Sequence, residues 1–199
     1  MKRFILLFAA LLIASAHSSA QFKQGDVELS FSGSLGSLSN SSNTSGYNYS
    51  ESRNVAIISV VPGYYIIDGL SLEAELGLLA EQRATPAQYL LGNVSYTYLI
   101  PESRVALFGR VGYGVSNSVQ IPVQPGIVSR VTNNFDVGVF NAGAGVKILV
   151  SQGAALRAEL NYKSHSWTTQ YPGYFGGSSY KTEYTYSNAG LLLGFSILI

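Results

Sequence analysis

The chain has 199 residues, no cysteine, a net charge of +1 and only 12% charged residues. That balance excludes disulfide stapling and thiolate metal centres, and it offers no basic face to a nucleic acid. Twenty-one glycines and fourteen tyrosines suit a single β-rich domain better than long helices.

Lys2 and Arg3 give a positive start, and residues 4–14 form an unbroken run of eleven apolar side chains. Small residues follow, with Ser18 and Ala20 spaced as an A-x-A-like cleavage site. Eleven residues are too few for a spanning helix, which takes about 20. Residues 1–20 are therefore predicted to be an export signal peptide cleaved after Ala20, with 21–199 as the mature domain. Without Lys2 and Arg3, ten of the twelve basic residues remain against eleven acidic ones, so the mature chain is nearly neutral. No later apolar stretch reaches helix-spanning length. That leaves an exported β-protein, soluble or embedded.

Period-2 alternation follows along the chain. Val27, Leu29, Phe31 and Leu35 oppose Glu28, Ser30, Ser32 and Ser34. Residues 53–67 are apolar on both parities and read as a strand of unassigned face. Leu70, Leu72, Ala74, Leu76, Leu78 and Ala80 oppose Ser71, Glu73, Glu75 and Gly77. Residues 89–100 alternate weakly. Val105, Leu107, Val111, Tyr113 and Val115 then oppose Arg110, Gly112 and Gly114, and Phe140, Ala142, Ala144, Val146 and Ile148 oppose Asn141, Gly143, Gly145 and Lys147. Leu156, Ala158, Leu160 and Tyr162 oppose Arg157, Glu159, Asn161 and Lys163. The last strand sets Ala189, Leu191, Leu193, Phe195, Ile197 and Ile199 against Asn188, Gly190, Gly194 and Ser196. Strands of this length and pattern match transmembrane barrel strands.

The connections sort by length. Residues 38–52, 117–133 and 164–182 are long, 82–88 is intermediate, and 67–69, 101–104 and 151–153 are tight. Strict alternation of longer and short links is what an up-and-down barrel produces, with long loops outside the cell and short turns in the periplasm. The predicted fold is all-β: an eight-stranded antiparallel up-and-down transmembrane β-barrel in a bacterial outer membrane. Tyr64, Tyr65, Tyr96 and Tyr98 are expected in the inner aromatic girdle, and Tyr89, Tyr113, Tyr162 and Tyr184 in the outer one.

The stretch Val61-Pro62-Gly63-Tyr64-Tyr65-Ile66-Ile67-Asp68-Gly69-Leu70-Ser71-Leu72 resembles the strand–turn–strand of OmpX-like outer-membrane barrel domains, especially those of Bacteroidetes. Tyr96-Thr97-Tyr98-Leu99-Ile100-Pro101 and Leu107-Phe108-Gly109-Arg110-Val111-Gly112-Tyr113-Gly114 look like that family's turn and glycine-rich strand. Residues 155–162 and Leu193-Gly194-Phe195-Ser196 are similar too, so the resemblance covers nearly all of the mature chain. It implies lipid and lipopolysaccharide as surroundings and the barrel-assembly machinery as a partner during insertion. Such barrels commonly end in an aromatic residue, whereas this chain ends in Ile199, with Phe195 the candidate substitute.

A soluble lipocalin-like barrel would carry its apolar face inside; the polar face decides. Small residues with a few long charged ones fit a lumen that has room only for side chains. Glu73, Glu75, Arg110, Lys147, Arg157 and Glu159 fall within about seven residues of the short-turn end, at ~3.3 Å per residue, and Glu28 lies close to the mature N-terminus. They form roughly one layer, either a gate or narrow ion path, or a plug; the plug is the reading taken, with no stable open pore.

His165, between Ser164 and Ser166, is the one nucleophile–base neighbourhood of the mature chain, but neighbours on a strand point to opposite faces. Tyr186-Ser187-Asn188-Ala189-Gly190 resembles the H-x-S-N-A-G stretch of lipid A deacylase barrels, with Thr185 where that family's histidine stands. No catalytic, cofactor-binding or metal residue is assigned, and no cofactor. The alternatives kept are a narrow small-solute or ion channel and a lipid-modifying outer-membrane enzyme.

Residues 164–182 read as a protruding hairpin, since His165, Trp167, Thr169 and Tyr171 alternate and Tyr180, Thr182, Tyr184 and Tyr186 alternate on the return. Parity puts Trp167, Tyr171, Tyr180 and Tyr184 on its lumen-side face, where they roof the barrel or present an edge to a surface protein partner. The Ser/Asn-rich 38–52 segment is expected to be a mobile loop. The central expectation is tested by fractionation: the protein should partition with outer membranes and change gel mobility on heating, whereas a soluble, non-shifting protein would refute the barrel.

Overall fold

Strands that are polar on one parity and apolar on the other satisfy both faces in lipid by closing with the polar face inward, which leaves no unpaired edge within the bilayer. The computed structural model describes residues 22–44, 47–81, 86–117, 120–124, 127–130, 137–171 and 180–199. The predicted signal peptide, its cleavage after Ala20 and the hairpin tip at 172–179 lie outside the described residues.

The strands are β1 (Val27–Thr44), β2 (Tyr47–Ile67), β3 (Leu70–Glu81), β4 (Ala87–Leu99), β5 (Val105–Ser116), β6 (Gln120–Gln124), β7 (Ile127–Arg130), β8 (Val137–Ser151), β9 (Ala154–Tyr171) and β10 (Tyr180–Leu198). Eight of them close a barrel in the order β1-β10-β9-β8-β5-β4-β3-β2. Every adjacent pair is antiparallel, as expected. Among the described residues β6 and β7 pair only with each other, so the long connection after β5 contains a small hairpin of its own.

The expected mobile loop at 38–52 is instead paired backbone. β1 and β2 stay in register without a shift from Val27 opposite Tyr64 to Thr44 opposite Tyr47. Serine and asparagine side chains do not prevent this, because the ladder is made by backbone groups and neither proline nor a bulge interrupts it there. β9 and β10 are likewise continuous from Ala154 opposite Ile197 to Tyr171 opposite Tyr180, which realises the predicted hairpin ladder.

Side-chain burial settles the faces that sequence left open. On β2, Val55, Ile57, Ser59, Val61 and Tyr65 point inward, and on β4, Tyr89, Leu91, Asn93, Ser95 and Thr97 do. Outward lie Ile58, Leu76, Val94, Leu107, Leu160 and Leu193, all exposed, part of an apolar belt suited to acyl chains. Tyr64, Tyr96 and Tyr98 flank it at the short-turn end, with Tyr113 and Tyr162 toward the other. Phe195 stacks on Phe31, ring centroids 5.0 Å apart, across the β1–β10 seam.

At the β2–β3 turn Gly69 takes φ +78°, a conformation that side chains rarely adopt. Its carbonyl accepts from the Thr97 amide at 2.7 Å, and its own amide donates to the Phe22 carbonyl at 2.8 Å. A Cβ there would stand 2.6 Å from the Thr97 carbonyl oxygen. Gly69→Ala should therefore lower the unfolding free energy by about 1–3 kcal/mol, measured by urea unfolding in lipid vesicles.

Candidate functional site

The lumen is filled in three tiers. At the short-turn end, residues 22–26 fold beneath the barrel. The Gln24 amide donates to Asp68 Oδ1 at 2.8 Å, the Gly25 amide to the Tyr65 carbonyl at 2.9 Å, and the Tyr65 amide to the Asp26 carbonyl at 2.9 Å. These bonds hold Phe22 inside the mouth, where it packs with Tyr65, Ala106 and Leu198. The result is an apolar floor.

Above it sit four carboxylates, Glu28, Glu73, Glu75 and Glu159, and four cations, Arg110, Lys147, Arg157 and Lys163, all buried. Lys147 donates to Glu28 at 2.6 Å, and the same carboxylate accepts from the Tyr65 hydroxyl at 2.6 Å. Arg110 spans the lumen: Nη1 reaches Glu75 at 2.7 Å while Nε reaches Glu159 at 2.8 Å. Arg157 closes on the other Glu159 oxygen at 2.8 Å and lies over the Phe108 ring at 4.2 Å. Lys163 approaches Glu75 at 3.0 Å, and the Tyr89 hydroxyl donates to Glu75 at 2.9 Å. An amide relay extends the network, from Lys163 to Asn161 (2.9 Å), to Asn141 (2.9 Å), to Asn93 (2.7 Å).

These charges were removed from water as they came together, a desolvation cost that only close, multiply bonded partners offset. Equal numbers of each sign and charge-assisted bonds meet that requirement for seven of the eight; among the described residues Glu73 has only the Ser71 hydroxyl at 3.5 Å and the Arg110 guanidinium at 3.7 Å. All seven residues predicted to form the layer are in it. Lys163 also belongs, although it stands further along β9 than the others, because its long stem reaches back toward Glu75.

The third tier is apolar. Val55, Ile57, Leu79, Tyr89, Leu91, Val137, Val139 and Trp167 pack across the lumen toward the long-loop end. Sequence had suggested small and charged residues for the inner face, with Trp167 and the hairpin tyrosines as a roof, and of these the tier contains Trp167. β2 shows why that reading fell short: with both parities apolar, nothing in its pattern marked Val55 and Ile57 as inward. Two tyrosines assigned to the girdles also belong inside. Tyr65 is 0% and Tyr89 2% exposed, and each gives its hydroxyl to a buried carboxylate. For Tyr89 the available signal was the parity it shares with Asn93 and Ser95 on β4, whereas Tyr65 lies on β2, where parity carried none.

His165 points inward and is buried, whereas Ser166 is exposed on the opposite face, as strand alternation required. Trp167 shares the inward face; the side chains of Tyr171, Tyr180 and Tyr184 are outside the described set. Among the described residues no group of three histidine, cysteine or acidic side chains is arranged to hold a metal.

The sequence profile of a family described as "Outer membrane protein beta-barrel domain" matches residues 4–196. Among solved structures, Neisserial surface protein A is similar with a TM-score of 0.57 at 14% identity, covering 87% of this chain and 97% of that one. The N-terminal β-barrel domain of Pseudomonas aeruginosa OprF gives 0.51 at 14% identity, covering 88% and 98%. The outer membrane protein AlkL in lipid bilayers gives 0.50 at 16% identity, covering 92% and 93%. At such identities the likeness shows the shared fold. No curated protein matches the chain.

The network makes an energetic prediction. Lys147→Met leaves Glu28 buried without its cation and should cost about 3–5 kcal/mol in vesicle unfolding experiments. Combining it with Glu28→Leu should recover most of that loss. Additive losses would show that the pair does not act as a unit.

Proposed function

The chain belongs to the outer membrane protein β-barrel domain family, and from that premise we propose that it is a sealed, non-catalytic barrel that works through its exposed surface. The observation that carries this reading is the three-tier filling of the lumen. An ion crossing it would have to pass an apolar floor, break a balanced charge network and cross an apolar roof. Separation of His165 from Ser166 by the barrel wall removes the nucleophile–base pair considered from sequence. Lipid and lipopolysaccharide are the expected neighbours of the apolar belt, and the barrel-assembly machinery the partner during insertion.

The surface with the means to bind is a protruding sheet. β2 continues through residues 47–54 beyond Val55, its last described partner position on β3, and β9 continues through 167–171 beyond Ser166, its last on β8. β1 and β10 pair between them up to Ser41 opposite Thr185. Among the described residues the four strands in the order β9-β10-β1-β2 therefore extend beyond the rest, with β2 and β9 as edges. An edge of that kind is a template for strand addition by a protein partner, so the predicted role of the 164–182 hairpin extends to the β2 edge.

Reconstituted into planar bilayers, the purified barrel should show no steady conductance; large, stable currents would favour the channel reading instead. A photo-crosslinker at Ser50 or Thr168 in intact cells should give protein adducts, while one at lipid-facing Leu160 should give none. Absence of adducts at both edge positions would remove the interaction role.

A further inference from the structure

We propose that the charged tier contains a built site for one ordered water molecule, formed by Glu73, Asn93, Ser95 and Arg110. Register brings these side chains together. Glu73 stands opposite Asn93 across the β3–β4 ladder, and Ser95 stands opposite Arg110 across β4–β5. Asn93 and Ser95 share one face of β4. They therefore form a contiguous patch of inner wall, and all four are more than nine-tenths buried.

Each side chain has one polar atom that no protein group satisfies: Glu73 Oε2, Asn93 Nδ2, Ser95 Oγ and Arg110 Nη2. Buried polar atoms carry the desolvation cost of an unmade bond, and four orphans in one patch point to a common polar partner. Arg110 Nη1 lies 3.7 Å from Glu73 Oε2, an ion pair too long for a hydrogen bond, so Oε2 remains an unfilled acceptor beside the guanidinium.

The amide relay fixes the polarity of the site. Lys163 can only donate, so Asn161 Oδ1 accepts from it. Asn161 and Asn141 then pass donors onward, and Asn93 Oδ1 accepts from Asn141. Asn93 Nδ2 is left as an N–H donor, like Arg110 Nη2. Glu73 Oε2 is an acceptor, and the Ser95 hydroxyl serves either way. One water accepting from Asn93 and Arg110 and donating to Glu73 and Ser95 completes all four, within the two to four bonds that buried waters make.

Charge selects water over an ion. The four carboxylates and four cations of the tier already balance. A cation would meet the Arg110 guanidinium, and an anion the Glu73 carboxylate, with the surplus charge enclosed in a dry lumen.

The test is a crystal structure of the full barrel at a resolution that shows waters, with rubidium and bromide soaks. A non-anomalous peak hydrogen-bonded to at least three of the four atoms supports the site. An anomalous peak, or closure of the four side chains on one another, overturns it. Oxygen-17 relaxation dispersion provides a second readout. Ser95→Val, and Ser95→Ala if the valine variant fails the heat-shift assay, should show one fewer long-lived water than wild type, and an equal count would overturn the assignment.

Discussion

Four acidic and four basic side chains enclosed in a lumen without room for bulk water must neutralise one another, and the rest of the structure follows from that constraint. Arg110 is its hinge point, since it holds Glu75 on β3 and Glu159 on β9 at once. The neighbouring pair, Lys147 with Glu28, ties β8 to β1. These bonds cross the barrel where the backbone ladder only runs around it. Closure of the sheet and balance of the network thus support each other: the ladder brings the charges close, and the charges fix which strands face one another.

Such a network needs space as well as partners, and the glycines supply it. A Cβ on Gly143 would collide with the Glu159 carboxylate, and one on Gly77 would collide with the Tyr89 ring. Small residues on one strand thus accommodate long ones on the next, a complementarity that extends the inward alternation from single strands to neighbouring pairs. The apolar tiers above and below then exclude bulk water from the charges. That exclusion strengthens every ion pair, and it would make any unpaired charge costly.

Most of this was readable wherever a strand carried contrasting parities. The Leu70-to-Ala80 and Leu156-to-Tyr162 alternations assigned inner and outer faces correctly, and with them the charged layer. Reading failed where parity carried no contrast, as on β2 and with it Tyr65, or where the tyrosine preference for the headgroup zone competed with it, as for Tyr89. Side-chain polarity also misdirected the reading of 38–52, because ladder pairing depends on backbone groups that composition does not report. The amide relay was beyond reach for another reason. Asn93 and Asn141 lie on β4 and β8 with β5 between them, and it is the register placing Gly112 opposite both that lets their side chains meet.

The two halves of the barrel also differ in what they leave open. β3, β4 and β5 span 12, 13 and 12 residues, close to what a tilted crossing requires. β1, β2, β9 and β10 span 18, 21, 18 and 19. The additional length adds nothing to closure, which the shorter strands achieve without it. Yet it creates two unpaired edges among the described residues, a feature that β-proteins ordinarily cover or blunt. The membrane therefore accounts for the length of the short strands and the charge network for the filled lumen, while neither accounts for the raised sheet. Among the described residues the raised sheet is thus the part of the molecule that neither membrane crossing nor lumen filling requires.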